Sequence, residues 1–286
     1  MVYQNELLED NDIREIVREV AFIKQSNNLE SVACIGEGIF KLMENTGTLI
    51  FYPFEEENLW GIYICKDKKN FYILNSGTEL ENQVFAAAHE LAHSLEIAKV
   101  AYEKLTPELM IEYTNNSQYG SKIIRADKIA NRFAAELLIG ESALKQELLN
   151  IPGNYSLVVK CVFLSDKFLV PYRAVAKRLN ETGMITQKEM KELLSVNESE
   201  YKLIAERYEC CGRNYEVTKI RQFGGYVNKA LTMYENDLYT YGELQEKLKL
   251  VGKKPEDYGI QFYDMDLSEF ILRASDDTET EYGEDE

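Results

Sequence analysis

The residues best suited to chemistry are His89, Glu90 and His93, set in the run His89-Glu90-Leu91-Ala92-His93. On a helix of 3.6 residues per turn, positions four apart are offset by about 40° and about 6 Å of rise, so both imidazoles project from one face. That geometry suits two corners of a tetrahedral zinc site with Zn–N bonds of about 2.0–2.1 Å. Glu90 neighbours the first histidine and can reach a water in the open position. Zinc lowers the pKa of such a water toward ~7, and a carboxylate beside it takes the proton as attack on a carbonyl begins. This is the His-Glu-x-x-His arrangement of metal-dependent peptide hydrolysis. The chain has two histidines, and both are in this motif. The flanks Val84-Phe85-Ala86-Ala87-Ala88 and Leu91-Ala92 make the helix a buried one, so the imidazoles need a partner inside the fold. The competing reading is a pair of core histidines satisfied by main-chain groups or carboxylates.

A catalytic zinc usually has three protein ligands plus water. With no third histidine, and Lys99 six residues beyond His93, the third ligand must be a carboxylate or a cysteine. The next long helical stretch offers two acids, Asp127 and Glu136, in Asp127-Lys128-Ile129-Ala130-Asn131-Arg132-Phe133-Ala134-Ala135-Glu136-Leu137-Leu138. They are nine residues apart, about 180° around a helix, so only one can face the metal. Ala130 and Ala134 follow Asp127 at i+3 and i+7, giving it a small-residue face where another helix can approach closely. That favours Asp127.

The elements that must position these groups change period along the chain. Ile13, Ile16, Val17, Val20 and Ile23 recur at helical spacing over residues 10–25, and a short helix follows over 38–45. Thr48-Leu49-Ile50-Phe51-Tyr52, Trp60-Gly61-Ile62-Tyr63-Ile64-Cys65 and Asn70-Phe71-Tyr72-Ile73-Leu74 are β-branched and aromatic runs. They predict a three-stranded meander whose last pair is a hairpin. Helical spacing returns over 79–100 with the histidine motif. Residues 106–121 read as a loop or broken helix, and 122–149 as one long alanine-rich helix ended by Ile151-Pro152-Gly153-Asn154. Helices are expected over 155–165, 172–180 and 187–194, and a mixed α/β module over 201–271. The class is α+β, with a helical core packed on a small three-stranded sheet. The expected divisions are 1–150 for the core, 151–196 for a helical element, 197–275 for a C-terminal module and 276–286 for a disordered tail.

Composition narrows the partners. Hydrophobic residues make up 45% and charged residues 28% of 286, an ordinary globular balance. No apolar run approaches the roughly 20 residues that span a bilayer. The N-terminus shows neither a basic nor an apolar leader segment, so a cytoplasmic location is expected. Five cysteines without Cys-x-x-Cys spacing read as reduced thiols. The net charge of −17 argues against direct nucleic-acid binding, and with no spanning run no membrane partner is expected. Part of that charge is the tail Asp276-Asp277-Thr278-Glu279-Thr280-Glu281-Tyr282-Gly283-Glu284-Asp285-Glu286, with seven acids and no base. Residues 155–180 run the other way, with Lys160, Lys167, Arg173, Lys177 and Arg178 against Asp166. A helical scaffold is favoured there over a DNA-binding face.

The chain resembles the ImmA/IrrE family of zinc peptidases. The resemblance runs through Val84 to His93, through Asp127 to Leu138, and through Leu164-Ser165-Asp166-Lys167-Phe168-Leu169-Val170-Pro171-Tyr172-Arg173-Ala174-Val175-Ala176-Lys177-Arg178-Leu179, covering about residues 28–185. It implies a zincin-like core followed by a helix-turn-helix-like element. It also implies one zinc ion per chain held by His89, His93 and Asp127, with Glu90 as general base. The family usually has Glu where Asp127 stands, which requires the helix to sit about one methylene closer or the metal to bind more weakly. The usual Met-Pro after the second helix is replaced by Ile139-Gly140, and the interval 127 − 93 = 34 residues is long, which suggests an inserted loop over 106–121. The resemblance further implies limited proteolysis of a helix-turn-helix transcriptional repressor of a mobile element or stress regulon. The alternative is a non-catalytic regulatory protein that captures a protein partner, its metal structural or absent.

Overall fold

The computed structural model of the chain describes residues 8–56, 59–99, 117–210, 222–223 and 225–261. Helix α1 (Asp10–Ser26) starts where the Glu9 N–H donates to Asp12 Oδ2 at 3.2 Å, and it buries Ile16 and Val20. A short α2 (Gly38–Thr46) buries Ile39, Leu42 and Met43 and leads into β1 (Thr48–Tyr52). Strands β2 (Gly61–Lys66) and β3 (Lys69–Asn75) form the expected hairpin. Its turn residues Asp67 and Lys68 both have positive φ, 51° and 61°, the conformation that matches a two-residue loop to strand twist.

The sheet is not a meander. Its order is β2-β3-β1-β4, with β1 parallel to β3 and antiparallel to β4 (Gln222–Phe223). After β1 the chain leaves one place empty, lays down β2 and returns through the hairpin to fill the gap with β3. Burial explains the order. Tyr72 and Leu74 of β3 are fully buried and demand a central place, whereas β2 ends half-exposed and charged, as an edge strand does. The sheet thus has three principal strands and a two-residue fourth.

Helix α3 (Leu80–His93) packs on β2, β3 and α2 and ends directly after its second histidine. The Ser94 main-chain and hydroxyl groups bond back to Leu91, and the chain resumes as a single turn, α4 (Glu96–Lys99). The helix expected over 79–100 is therefore broken at Ser94. Across α3 lies α5 (Ser117–Leu138). Ala86, Ala87, Ala88 and Ala92 on α3 and Ala126, Ala130 and Ala134 on α5 are all buried, which lets two helices approach closely. The Asp12 carboxylate from α1 accepts from Arg125 Nη2 at 2.8 Å and ties the first helix to α5. Of the loop expected over 106–121, residues 106–116 lie outside the described residues and the rest is helical.

The long helix expected over 122–149 is two. Gly140 leaves helical geometry (φ −58°, ψ 136°) and starts α6 (Glu141–Asn150). The carbonyl freed at Ile139 accepts from Arg178 Nε at 3.0 Å, so the break is satisfied from within the core. Helices α7 (Leu157–Phe168) and α8 (Tyr172–Glu181) follow, joined by three residues, with Leu169 left-handed (φ 54°) and Pro171 opening α8. Next come α9 (Gln187–Ser195), begun by a Thr186–Glu189 capping box, and α10 (Glu198–Arg207), capped by Asn197. Cys161, Val162, Leu164, Val175, Leu179 and Leu193 from these helices share the core cluster with α3 and the sheet.

The chain separates into two compact units, Met1–Gly224 and Gly225–Glu286. The second holds α11 (Tyr226–Glu235), α12 (Tyr241–Lys249) and a 3₁₀ turn (Pro255–Tyr258) around Ala230, Leu244 and Leu248. Among the described residues beyond 197 the strand content is β4, which joins the first sheet; the other elements there are helices and a 3₁₀ turn. The tail over 276–286 lies outside the described residues, as does Cys211. Among the described residues no helix is long and apolar enough to cross a membrane.

Candidate metal centre

Three donors converge where α3 and α5 meet. The Nε2 atoms of His89 and His93 are 3.0 Å apart. Asp127 Oδ1 stands 3.6 Å from the His93 nitrogen and 3.9 Å from that of His89. Donors about 2.0–2.1 Å from a tetrahedral zinc lie about 3.3 Å from one another, a value these three separations straddle. The Asp127 side chain is 50% exposed, so closing the last few tenths of an ångström takes a small carboxylate movement. The donor set of two imidazoles and one carboxylate fits zinc and leaves its fourth corner open. Among the described residues, His89, His93 and Asp127 are the group of metal-binding side chains whose ligand atoms come within 4.8 Å of one another.

The surroundings prepare the ligands. Burial pulls His89 down to about 4, against the opposing pull of its hydrogen bond to Asn131. Burial and then His89 itself take His93 down to about 3. Both rings are therefore neutral over the physiological range, the form a metal needs. Asn131 Oδ1 lies 3.2 Å from His89 Nδ1, where it accepts an N–H and leaves the Nε2 lone pair facing Asp127 and His93. Asn131 is four residues after Asp127, on the same face of α5. Asn131→Ala is expected to weaken zinc binding about 10–100-fold without unfolding the chain, as measured by zinc titration against a chromogenic chelator.

Glu90 is 8% exposed. Burial first, and the Asp127 charge second, push its carboxyl up to about 8, while the main-chain N–H of Tyr63 pulls it back. Burial also raises Asp127. Two carboxyls beside two neutral imidazoles form a site electrostatically ready for a cation.

The second acid of α5 has a different environment. Glu136 Oε2 accepts from Arg178 Nη2 at 2.8 Å and from Arg132 Nη2 at 3.1 Å. Both arginines also reach Glu181 Oε2, at 2.8 Å from Arg132 and 3.4 Å from Arg178. Arg178 is 1% exposed, so one of the basic residues counted over 155–180 is a core residue of the α5–α8 contact. Lys167 is also engaged, 3.4 Å from Glu147. The basic face of α7 and α8 is correspondingly smaller than the sequence suggests.

Sequence reasoning did not find Asn131 as a histidine partner, nor Gly61 and the Tyr63 main chain beside Glu90. A glycine inside the β-run Trp60-Gly61-Ile62 is a recognised sign of close approach by another group. That signal was present. The model of the IrrE N-terminal-like domain, a peptidase family, matches residues 43–180, a stretch that carries His89, Glu90, His93, Asp127 and Asn131. No curated protein and no solved structure gives a significant match to the chain.

Proposed function

The chain belongs to the ImmA/IrrE family, carrying its IrrE N-terminal-like domain over residues 43–180, and on that footing we propose that it is a zinc-dependent peptidase. The observation that carries the reading is the convergence of His89, His93 and Asp127 beside a buried Glu90. His89 and His93 would hold the ion through Nε2, and Asp127 through its carboxylate. Zinc bound there supplies a Lewis acid that polarises the scissile carbonyl and makes water acidic near neutral pH.

Glu90 does the proton work. As water attacks the carbonyl carbon, a Glu90 oxygen takes its proton and then delivers it to the amide nitrogen. The C–N bond breaks to give a carboxylic acid and an amine. The burial of Glu90 beside the ligands holds its carboxylate where the attacking water would be, so that it can take the proton and return it. Asn131 keeps His89 in the required tautomer, and the alanine contact between α3 and α5 brings the short Asp127 within reach of the histidines.

The substrate follows from the family resemblance: a helix-turn-helix transcriptional repressor, cut at one or a few sites. The cysteines among the described residues are thiols and form no disulfide, which supports a cytoplasmic location. The test is to incubate the zinc-loaded chain with helix-turn-helix repressors of its host, beginning with any encoded beside its gene. Discrete fragments with the native chain and none with Glu90→Gln, both carrying zinc, are expected. Equal cleavage by the two would remove Glu90 from the mechanism. No cleavage by either, with the repressor nevertheless bound, would favour partner capture over hydrolysis.

A further inference from the structure

We propose that the free edge of β2 is a cradle for the Glu90 side chain, and that Gly61 is a positioning residue for it. The inference rests on the reading of Glu90 as general base and names the part of the fold that aims it.

The hairpin register decides which groups of β2 are available. The closing pair Lys66↔Lys69 of a two-residue loop is hydrogen-bonded, and bonded pairs then alternate along the ladder. The Asn75 N–H bonding the Trp60 carbonyl at 2.8 Å confirms the phase at the far end. Gly61, Tyr63 and Cys65 are therefore the residues whose N–H and C=O groups point away from β3. Because β2 ends the sheet, among the described residues no strand meets them there. Their side-chain direction is the core face, opposite Leu74, Tyr72 and Asn70, where the Tyr63 and Tyr72 rings pack with centroids 5.6 Å apart.

Glu90 fills the corner between that edge and that face. The Tyr63 N–H, one of the outward donors, serves its carboxylate. Above Gly61 there is no room for anything else. A Cβ at position 61 would lie 2.8 Å from Glu90 Cγ, 3.0 Å from Oε1 and 3.3 Å from Cδ. Gly61 is not in the left-handed region, so its backbone would accept alanine without strain, and alanine in a strand interior is ordinarily the more stable residue. The glycine is explained by Glu90, not by a turn. One contact thus gives the base a fixed rotamer and gives an edge N–H its acceptor.

The experiment is amide exchange on the full chain, with and without zinc, in the native protein, Gly61→Ala, Glu90→Ala and the double variant. The Tyr63 amide is expected to exchange slowly in the native chain and about tenfold or more faster in each single variant, with the Cys65 amide unchanged. Gly61→Ala is expected to lower the melting temperature, and adding Glu90→Ala to restore it, because the clash disappears with the side chain. Zinc affinity should stay near native in Gly61→Ala, unlike the ~10–100-fold loss that follows removal of an outer-shell partner. An unaltered Tyr63 amide in both single variants, or additive melting shifts in the double variant, would overturn the proposal. These readouts need no substrate. A Glu90 that proved dispensable for hydrolysis would leave the amide result standing, so the two failures are distinguishable.

Discussion

Asp127→Ala is expected to abolish tight zinc binding while leaving the fold intact, and Glu136→Ala to do the reverse. Asp127 is half-exposed and its partners are the two histidines, so its removal takes away a ligand and no core contact. The loss of zinc affinity should exceed the ~10–100-fold that an outer-shell change produces. Glu136 instead neutralises Arg178, which is 1% exposed, together with Arg132. Alanine there leaves buried guanidinium groups partly unpaired, a change that costs about 3–5 kcal/mol when a buried pair is broken. The part of Arg178 that bonds Glu181 and the Ile139 carbonyl remains, which places the expected value toward the lower end. Zinc titration and urea unfolding on the same two variants separate the outcomes. A Glu136→Ala chain that folds normally but loses zinc would reverse the assignment of the two acids.

Glu90→Gln should have the largest effect on chemistry, lowering repressor cleavage by roughly 10²–10⁴-fold, the usual contribution of a positioned acid–base group. The same substitution should stabilise the metal-free fold, in a pH-dependent way. The Glu90 carboxyl is raised in the folded chain to about 8 from an ordinary 4.5. Below pH 4.5 it is neutral in both states and contributes its full stability. As pH rises from there through 8, the unfolded chain ionises freely and the folded chain ionises only against burial and Asp127, so stability is lost. Glutamine escapes that loss. The native and Glu90→Gln chains should unfold alike near pH 4.5 and diverge by roughly 4 kcal/mol at pH 8, the variant being the more stable. The histidines move oppositely: their depressed values mean that stability present above 6.5 is lost as pH falls toward 4 and then 3, equally in both chains. Thermal melts at pH 4.5 and pH 8 with a chelator present measure the difference, and equal melting at both values would contradict a buried Glu90.

What was readable in the sequence, and what was not, follows from the range of the interactions involved. The facing of His89 and His93 depends on helical period alone, and the opposed directions of Asp127 and Glu136 on the same arithmetic, so both could be argued from spacing. The destination of Glu136 could not, because its partner Arg178 is 42 residues away on another helix. The hairpin was legible in Lys66-Asp67-Lys68-Lys69, a local turn, whereas the parallel pairing of β1 with β3 is decided by which strand the core must bury. The break at Ile139–Gly140 had a signal in its glycine, outweighed by the alanine-rich run before it, and the carbonyl that makes the break tolerable is satisfied by Arg178. Asn131 and Gly61 are small or neutral residues whose roles exist only in relation to His89 and Glu90.

The most direct test of a zinc peptidase centre built on α3 and α5 is metal analysis of the purified full chain combined with zinc-edge X-ray absorption. One zinc per chain is expected, bound by two imidazoles and one carboxylate with a further position taken by solvent, and no sulfur ligand. A chain that binds no zinc under saturating conditions, or one whose zinc is closed by four protein ligands, would contradict the account.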